Sequence, residues 1–193
     1  MSLTMFIGPM FAGKTTALIK HYKQQKELTK IIVDYDIKSD DNNVVNIGEM
    51  VTHTELSYPS VYKTKKLNNL YDMDKYNLFS KDVQEYQYEM FFYATDIYIN
   101  ECQFFPDLKR FVLTCLKNDI NVHLYGLDGD YKQEKFGEVF DLIPYCSSIS
   151  KIKGKCAKCK NKSVVSHRIS NEKEQYLTDA FCYQPLCLRC YLE

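Results

Sequence analysis

Gly8-Pro9-Met10-Phe11-Ala12-Gly13-Lys14-Thr15 decides the fold, because it satisfies the pattern G-x-x-x-x-G-K-[ST] at every fixed position. The spacing has a physical reason. Glycines let consecutive backbone N–H groups wrap an anion, and the helix that follows directs its positive end at the phosphates. Lys14 can then reach the β and γ oxygens of a nucleotide, and Thr15 can bind Mg²⁺. The expected ATP contacts are Gly8, Pro9, Met10, Phe11, Ala12, Gly13, Lys14, Thr15 and Thr16.

The flanking sequence supplies the context that this loop requires. Leu3 to Ile7 is a short apolar run ending at a glycine, and Ala17, Leu18, Tyr22 and Gln25 follow at helical spacing. Lys30 to Tyr35 reads as a second strand, and the Asp/Asn-rich stretch Asp36 to Asn43 as an exposed loop. Ile97-Tyr98-Ile99 reads as a third strand, Pro106 opens a helix with Leu108, Phe111, Val112, Cys115 and Leu116 on one face, and Val122 to Leu127 is a fourth strand. Strands alternating with helices imply an α/β fold whose mainly parallel sheet is covered on both faces. Residues 44 to 95 carry no comparably clear pattern.

A P-loop needs an acidic partner at the end of another parallel strand, near the γ-phosphate. Glu101, directly after the third strand, is the candidate.

At 193 residues, 45% of them hydrophobic, the chain can bury one substantial core with a small module attached. Its 25 basic residues balance its 25 acidic ones, so no global field favours nucleic acid or an anionic membrane, and anions must be held locally. The apolar runs fall far short of the roughly 18 residues of a membrane span. The start, Met1 to Phe6, lacks the basic segment of a signal peptide. A soluble, cytoplasmic protein without stable nucleic-acid or membrane partners is therefore expected, and in a reducing compartment its eight cysteines read better as metal ligands or buried thiols than as disulfides.

Cys156-Ala157-Lys158-Cys159 and Cys187-Leu188-Arg189-Cys190 are two C-x-x-C pairs. Each can form a knuckle with both thiolates on one Zn²⁺, and together they close a tetrahedral site that leaves no position for water, which marks the metal as structural. The interval between the pairs exceeds that of a short zinc ribbon, so a sizeable loop projects between the knuckles. The chain turns Lys- and Cys-rich from about Lys151, so the expected division is a P-loop unit over 1–150 and a zinc-binding unit over 151–193.

The P-loop, then Glu101-Cys102-Gln103-Phe104-Phe105-Pro106-Asp107-Leu108, then Leu127-Asp128-Gly129 and the two C-x-x-C pairs, resemble in that order the cellular and poxvirus-type thymidine kinase family. The resemblance implies a RecA-like P-loop domain, a zinc ribbon with a lasso loop over the nucleoside, a homotetramer, and transfer of the ATP γ-phosphate to the 5′-hydroxyl of thymidine. It makes Glu101 the catalytic base. It places Met10, Phe104, Tyr131 and Phe136 in the base pocket, Tyr183 on the lasso, and Arg168 on a retained arginine between the knuckles.

Departures accompany the match. The family's strand-end Asp-Glu pair is Asn100-Glu101 here, an arginine of the family falls on Gln133, the lasso's Gly-Gly becomes Thr178-Asp179, and the linker from about Leu67 to Ala94 is longer. They leave open a kinase for another deoxynucleoside or a regulatory nucleotide-binding protein. A P-loop zinc protein acting on nucleic acid would rest only on the lysines between Lys151 and Lys162.

Overall fold

The structure is a computed structural model that describes residues 1–25, 30–35, 49–51, 57–59, 70 and 94–193. The loop expected at Asp36 to Asn43 and nearly all of the 67–94 linker lie outside the described residues.

Strand β1 (Leu3–Ile7) alternates, with Leu3, Met5 and Ile7 buried on one face and Thr4 and Phe6 on the other. Helix α1 (Lys14–Gln24) covers the second face, where Leu18 and Ile19 pack with Ile32, Tyr98 and Tyr125. Strands β2 (Lys30–Val33) and β5 (Asp96–Ile99) follow the expected runs, and β3 (Glu49–Val51) pairs antiparallel with β4 (Ser57–Pro59). Helix α2 (Leu108–Lys117) packs Leu108, Phe111, Val112 and Cys115 on the first face, in one core with Leu3, Met5, Ile97 and Leu124. It starts two residues beyond Pro106, with Asp107 at the cap position, because the Phe111 N–H bonds the Asp107 carbonyl at 3.0 Å.

Strand β6 (Asn121–Gly126) completes the four expected strands, and β7 (Ser148–Lys151) adds a fifth. Among the described residues the sheet order is β2-β5-β6-β1-β7, with every neighbouring pair parallel. Each fully buried aliphatic or aromatic side chain in such a two-faced core contributes about 1.5–3 kcal/mol relative to exposure. Strands β1, β2, β5 and β6 are thereby tied to the apolar runs read from the sequence. The carboxyl ends of β1, β5 and β6 share one edge, where parallel α/β folds place their ligands.

The chain leaves β7 against the P-loop. The Ile152 N–H bonds the Ile7 carbonyl at 2.7 Å, and a Cβ on Gly8 would stand 2.1 Å from the Ile152 carbonyl oxygen, so position 8 requires glycine for close approach as well as for the anion loop. Strands β8 (Gly154–Lys155) and β9 (Lys162–Ser163) form one antiparallel pair, β10 (Val165–Arg168) and β11 (Tyr183–Leu186) another, and α3 (Leu188–Leu192) ends the chain shown. The strap 169–182 joins β10 to β11. No helix among the described residues is long and apolar enough to cross a membrane.

Candidate active site

The P-loop turns twice through the left-handed region, at Phe11 (φ 60°) and at Gly13 (φ 83°), before α1 begins at Lys14. Phe11 holds a conformation that costs a residue with a Cβ about 1–3 kcal/mol. Contacts from the C-terminal strands hold the loop there: the Met10 N–H donates to Ser166 Oγ at 2.9 Å, and Gly154 approaches the Phe11 carbonyl. The Lys14 ammonium is buried and donates to the Pro9 carbonyl at 2.9 Å, bridging the two ends of the loop. Burial pulls its pKa below the ordinary lysine value, and the carboxylates of Glu101 and Asp128 oppose that shift. Both acids therefore lie close enough to act on the charge that reaches toward the phosphates. Thr15 and Thr16 stand half-buried in the first turn of α1.

Glu101 follows β5 in a left-handed conformation (φ 49°, ψ 40°). Side chains with a Cβ rarely adopt it, and here a short helical turn over Cys102–Phe104 sets it. The buried Gln103 amide donates to Glu101 Oε2 at 2.7 Å and accepts from the Leu127 N–H at 3.0 Å, orienting the carboxylate from the β6 side. Asn100, where the family resemblance leads one to expect a carboxylate, is buried and donates its amide to Asp34 Oδ1 at 2.9 Å. An acid at position 100 would meet Asp34 as a like charge at hydrogen-bond distance, so the amide suits the carboxylate supplied by the end of β2. Asp128, at the end of β6, pairs with Lys151 of β7 at 2.6 Å.

The residues expected at the base fall into two groups. Phe104 and Phe136 meet edge to face at 5.1 Å (85°), and Phe104 also stacks on Tyr35 at 4.9 Å (21°) and meets Tyr176 at 4.9 Å (71°). Tyr131 and Tyr183 belong to a second group around Arg168, which is buried between their rings. The Arg168 guanidinium donates to the carbonyls of Glu172 (3.0 Å), Glu174 and Gln175 (3.3 Å) and to the Tyr183 hydroxyl, which itself accepts the Leu177 N–H at 2.8 Å. Gln175 Nε2 lies 3.2 Å from Asp130 Oδ2 and 3.2 Å from the Lys135 carbonyl. The groups are linked along the chain, where the Gln175 carbonyl bonds Arg168 and the adjacent Tyr176 meets Phe104. Strap residues Glu174 to Thr178 line a shallow, open groove. Met10 is fixed through its backbone bond to Ser166. Tyr35 and Tyr176 escape a reading from motifs because an isolated tyrosine carries no spacing signal.

The cysteine quartet assembles as its spacing predicts. The four Sγ atoms of Cys156, Cys159, Cys187 and Cys190 all lie within 4.8 Å of one another, and Cys159 and Cys187 approach to 3.6 Å. Zn–S bonds of about 2.3 Å in a tetrahedron set adjacent sulfurs about 3.8 Å apart, so the donor set fits structural zinc. Knuckle geometry comes from the backbone: the Cys156 N–H bonds the Asn161 carbonyl (2.9 Å), and the Ala157 N–H bonds the Pro185 carbonyl (2.8 Å), tying the first pair to the strand that leads to the second.

A P-loop on a parallel sheet, a carboxylate following a strand at the same carboxyl edge, and a strap beside a four-cysteine cluster point to the nucleotide-dependent phosphotransferase class. The chain belongs to the thymidine kinase family, whose model, described as thymidine kinase, matches residues 1–191. It is 33% identical over 192 residues to a rice protein named thymidine kinase, covering 98% of this chain and 65% of that protein. It is 27% identical to the variola virus thymidine kinase, covering 99% of this chain and 97% of the viral one, and 29% identical to one from Mycoplasma mobile, covering 99% and 87%. The chain thus spans about two thirds of the rice relative and nearly all of the viral one. Family membership favours an enzyme that phosphorylates thymidine over the regulatory and nucleic-acid readings.

Proposed function

We propose that this enzyme transfers the γ-phosphate of ATP to the 5′-hydroxyl of thymidine, with Glu101 as the base. The observation that supports the reading is that the P-loop with its buried Lys14 follows β1 and Glu101 follows β5, both at the carboxyl edge of one parallel sheet. Within the loop Gly8 to Thr16, the backbone N–H groups of Ala12 to Thr16 at the start of α1 cradle the phosphates, and Lys14 follows the charge that builds on the β–γ bridging oxygen. Glu101 accepts the proton as O5′ forms its bond to Pγ and the Pγ–O bond to ADP breaks in line. Thr15 would hold Mg²⁺, which supplies charge neutralisation at the β and γ oxygens when bound.

Phe104 and Phe136, with Met10, Tyr131 and Tyr183, are the proposed contacts and supports of the base. Within this reading 1–150 carry the phosphate chemistry, while 151–193, held by zinc on Cys156, Cys159, Cys187 and Cys190, carry the strap. In this reading the enzyme is a homotetramer, as the family resemblance implies, and works in the cytoplasm, as expected from a sequence with no apolar run of membrane-spanning length.

A steady-state assay with ATP and a panel of thymidine, deoxyuridine, deoxycytidine and deoxyguanosine tests the proposal. Thymidine should give the highest kcat/KM; transfer to none of them, or a preference for the purine, would overturn it.

A further inference from the structure

Tyr176 stands on the strap, 42% exposed, with its ring against Phe104 and Phe136. The strap's backbone around it is committed: the carbonyls of Glu172, Glu174 and Gln175 bond Arg168, and the Leu177 N–H bonds the Tyr183 hydroxyl. The Gln175 side chain is tied to Asp130 and to the Lys135 carbonyl. With those polar groups engaged, the aromatic ring is what residue 176 offers to a ligand, beside Phe104 and Phe136.

That ring has a counterpart. Tyr176 and Phe136 are nearly parallel, at 24°, with centroids 6.2 Å apart, and both stand steeply to Phe104, at 71° and 85°. Tyr35 stacks behind Phe104 and fixes its plane. A flat heterocycle between two rings needs about 7 Å, two carbon contact distances, so an outward shift of about 1 Å at the strap admits one.

We propose that Tyr176 is a further substrate-binding residue, forming with Phe136 the two walls of a slot that grips a pyrimidine base by its faces above Phe104. The inference rests on the thymidine kinase reading and deepens it. Face stacking rewards a flat ring whatever its edge pattern, so Tyr176 contributes affinity for pyrimidine deoxynucleosides as a class.

Three variants test the slot. Tyr176→Ala should raise KM for thymidine by about tenfold or more while KM for ATP moves by less than about twofold. Tyr176→Phe, which keeps the ring, should restore the thymidine KM. The chain contains no tryptophan, so Tyr176→Trp introduces a single indole, whose emission should change on titration with thymidine alone, even if the alanine variant folds poorly. An unchanged thymidine KM in Tyr176→Ala, a parallel rise of both KM values, or Trp emission indifferent to saturating thymidine would overturn the slot while leaving a thymidine-active wild type intact. A wild-type enzyme inactive on thymidine would overturn the underlying reading and the slot with it.

Discussion

The Arg168 guanidinium carbon lies 3.7 Å from the centroid of the Tyr131 ring, so a residue of β10 is clamped onto the loop that follows β6. A desolvated cation–π contact of this kind contributes about 2 kcal/mol, and the same guanidinium holds three strap carbonyls. One side chain thereby joins the strap, the loop after β6 and the C-terminal strands.

Arg168→Lys should therefore damage the strap even though the charge is kept, because an ammonium on a flexible stem cannot reproduce a planar fork. The expected result is a rise in KM for thymidine of about tenfold with zinc content preserved. A thymidine KM equal to that of the wild type would show that the strap is held by other means.

Lys14→Ala should abolish turnover and weaken ATP binding, since the positive charge at the β and γ oxygens is lost while the loop backbone remains. Isothermal titration with ATP beside a turnover assay measures both. Unchanged affinity and rate would remove Lys14 from the mechanism.

The cysteine cluster should hold one Zn²⁺ per chain when the protein is purified without chelator, as read by elemental analysis. Cys187→Ser should lose the metal and destabilise residues 151–193, because the binding energy of such a site is folding energy. Zinc-free protein with the same melting temperature would contradict this.

Beneath α1, His123 bonds Asp96 at 2.9 Å and Thr4 at 2.7 Å, His21 bonds the Tyr125 hydroxyl at 2.8 Å, and the two imidazoles lie 4.6 Å apart. Burial pushes both histidines below their ordinary value of 6.5; Asp96 partly offsets this for each, and His123 adds to it for His21. With the folded pKa depressed, the unfolded chain binds more protons below pH 6.5. Stability from these groups is complete above that value and is lost as pH falls toward the folded pKa. The melting temperature should drop between about pH 7 and pH 5, and His123→Gln should flatten the slope. A melting temperature that rises over that interval would contradict the assignment.

Strong local signals made much of this molecule legible. The P-loop carried its own strand and helix, Glu101 was marked by its place at a strand end, and the paired cysteines announced one metal site. Strand β7 was not readable, because all four of its residues are exposed and only backbone pairing to Thr4–Ile7 makes it a strand. The fit of Asn100 was hidden for a different reason: its partner Asp34 lies 66 positions away and meets it only once Val33 and Ile99 are in register. Tyr35 and Tyr176 reach Phe104 through tertiary folding alone, from opposite sides of the sequence.

The most direct test of the account is the turnover of Glu101→Gln at saturating ATP, thymidine and Mg²⁺. Glutamine keeps the size of the side chain and can still pair with Gln103, but it cannot accept a proton from the 5′-hydroxyl. The account predicts that kcat falls by roughly 10²-fold or more while nucleotide affinity changes little. A Glu101→Gln enzyme that phosphorylates thymidine at near wild-type kcat would contradict it and move the search for the base to Asp128.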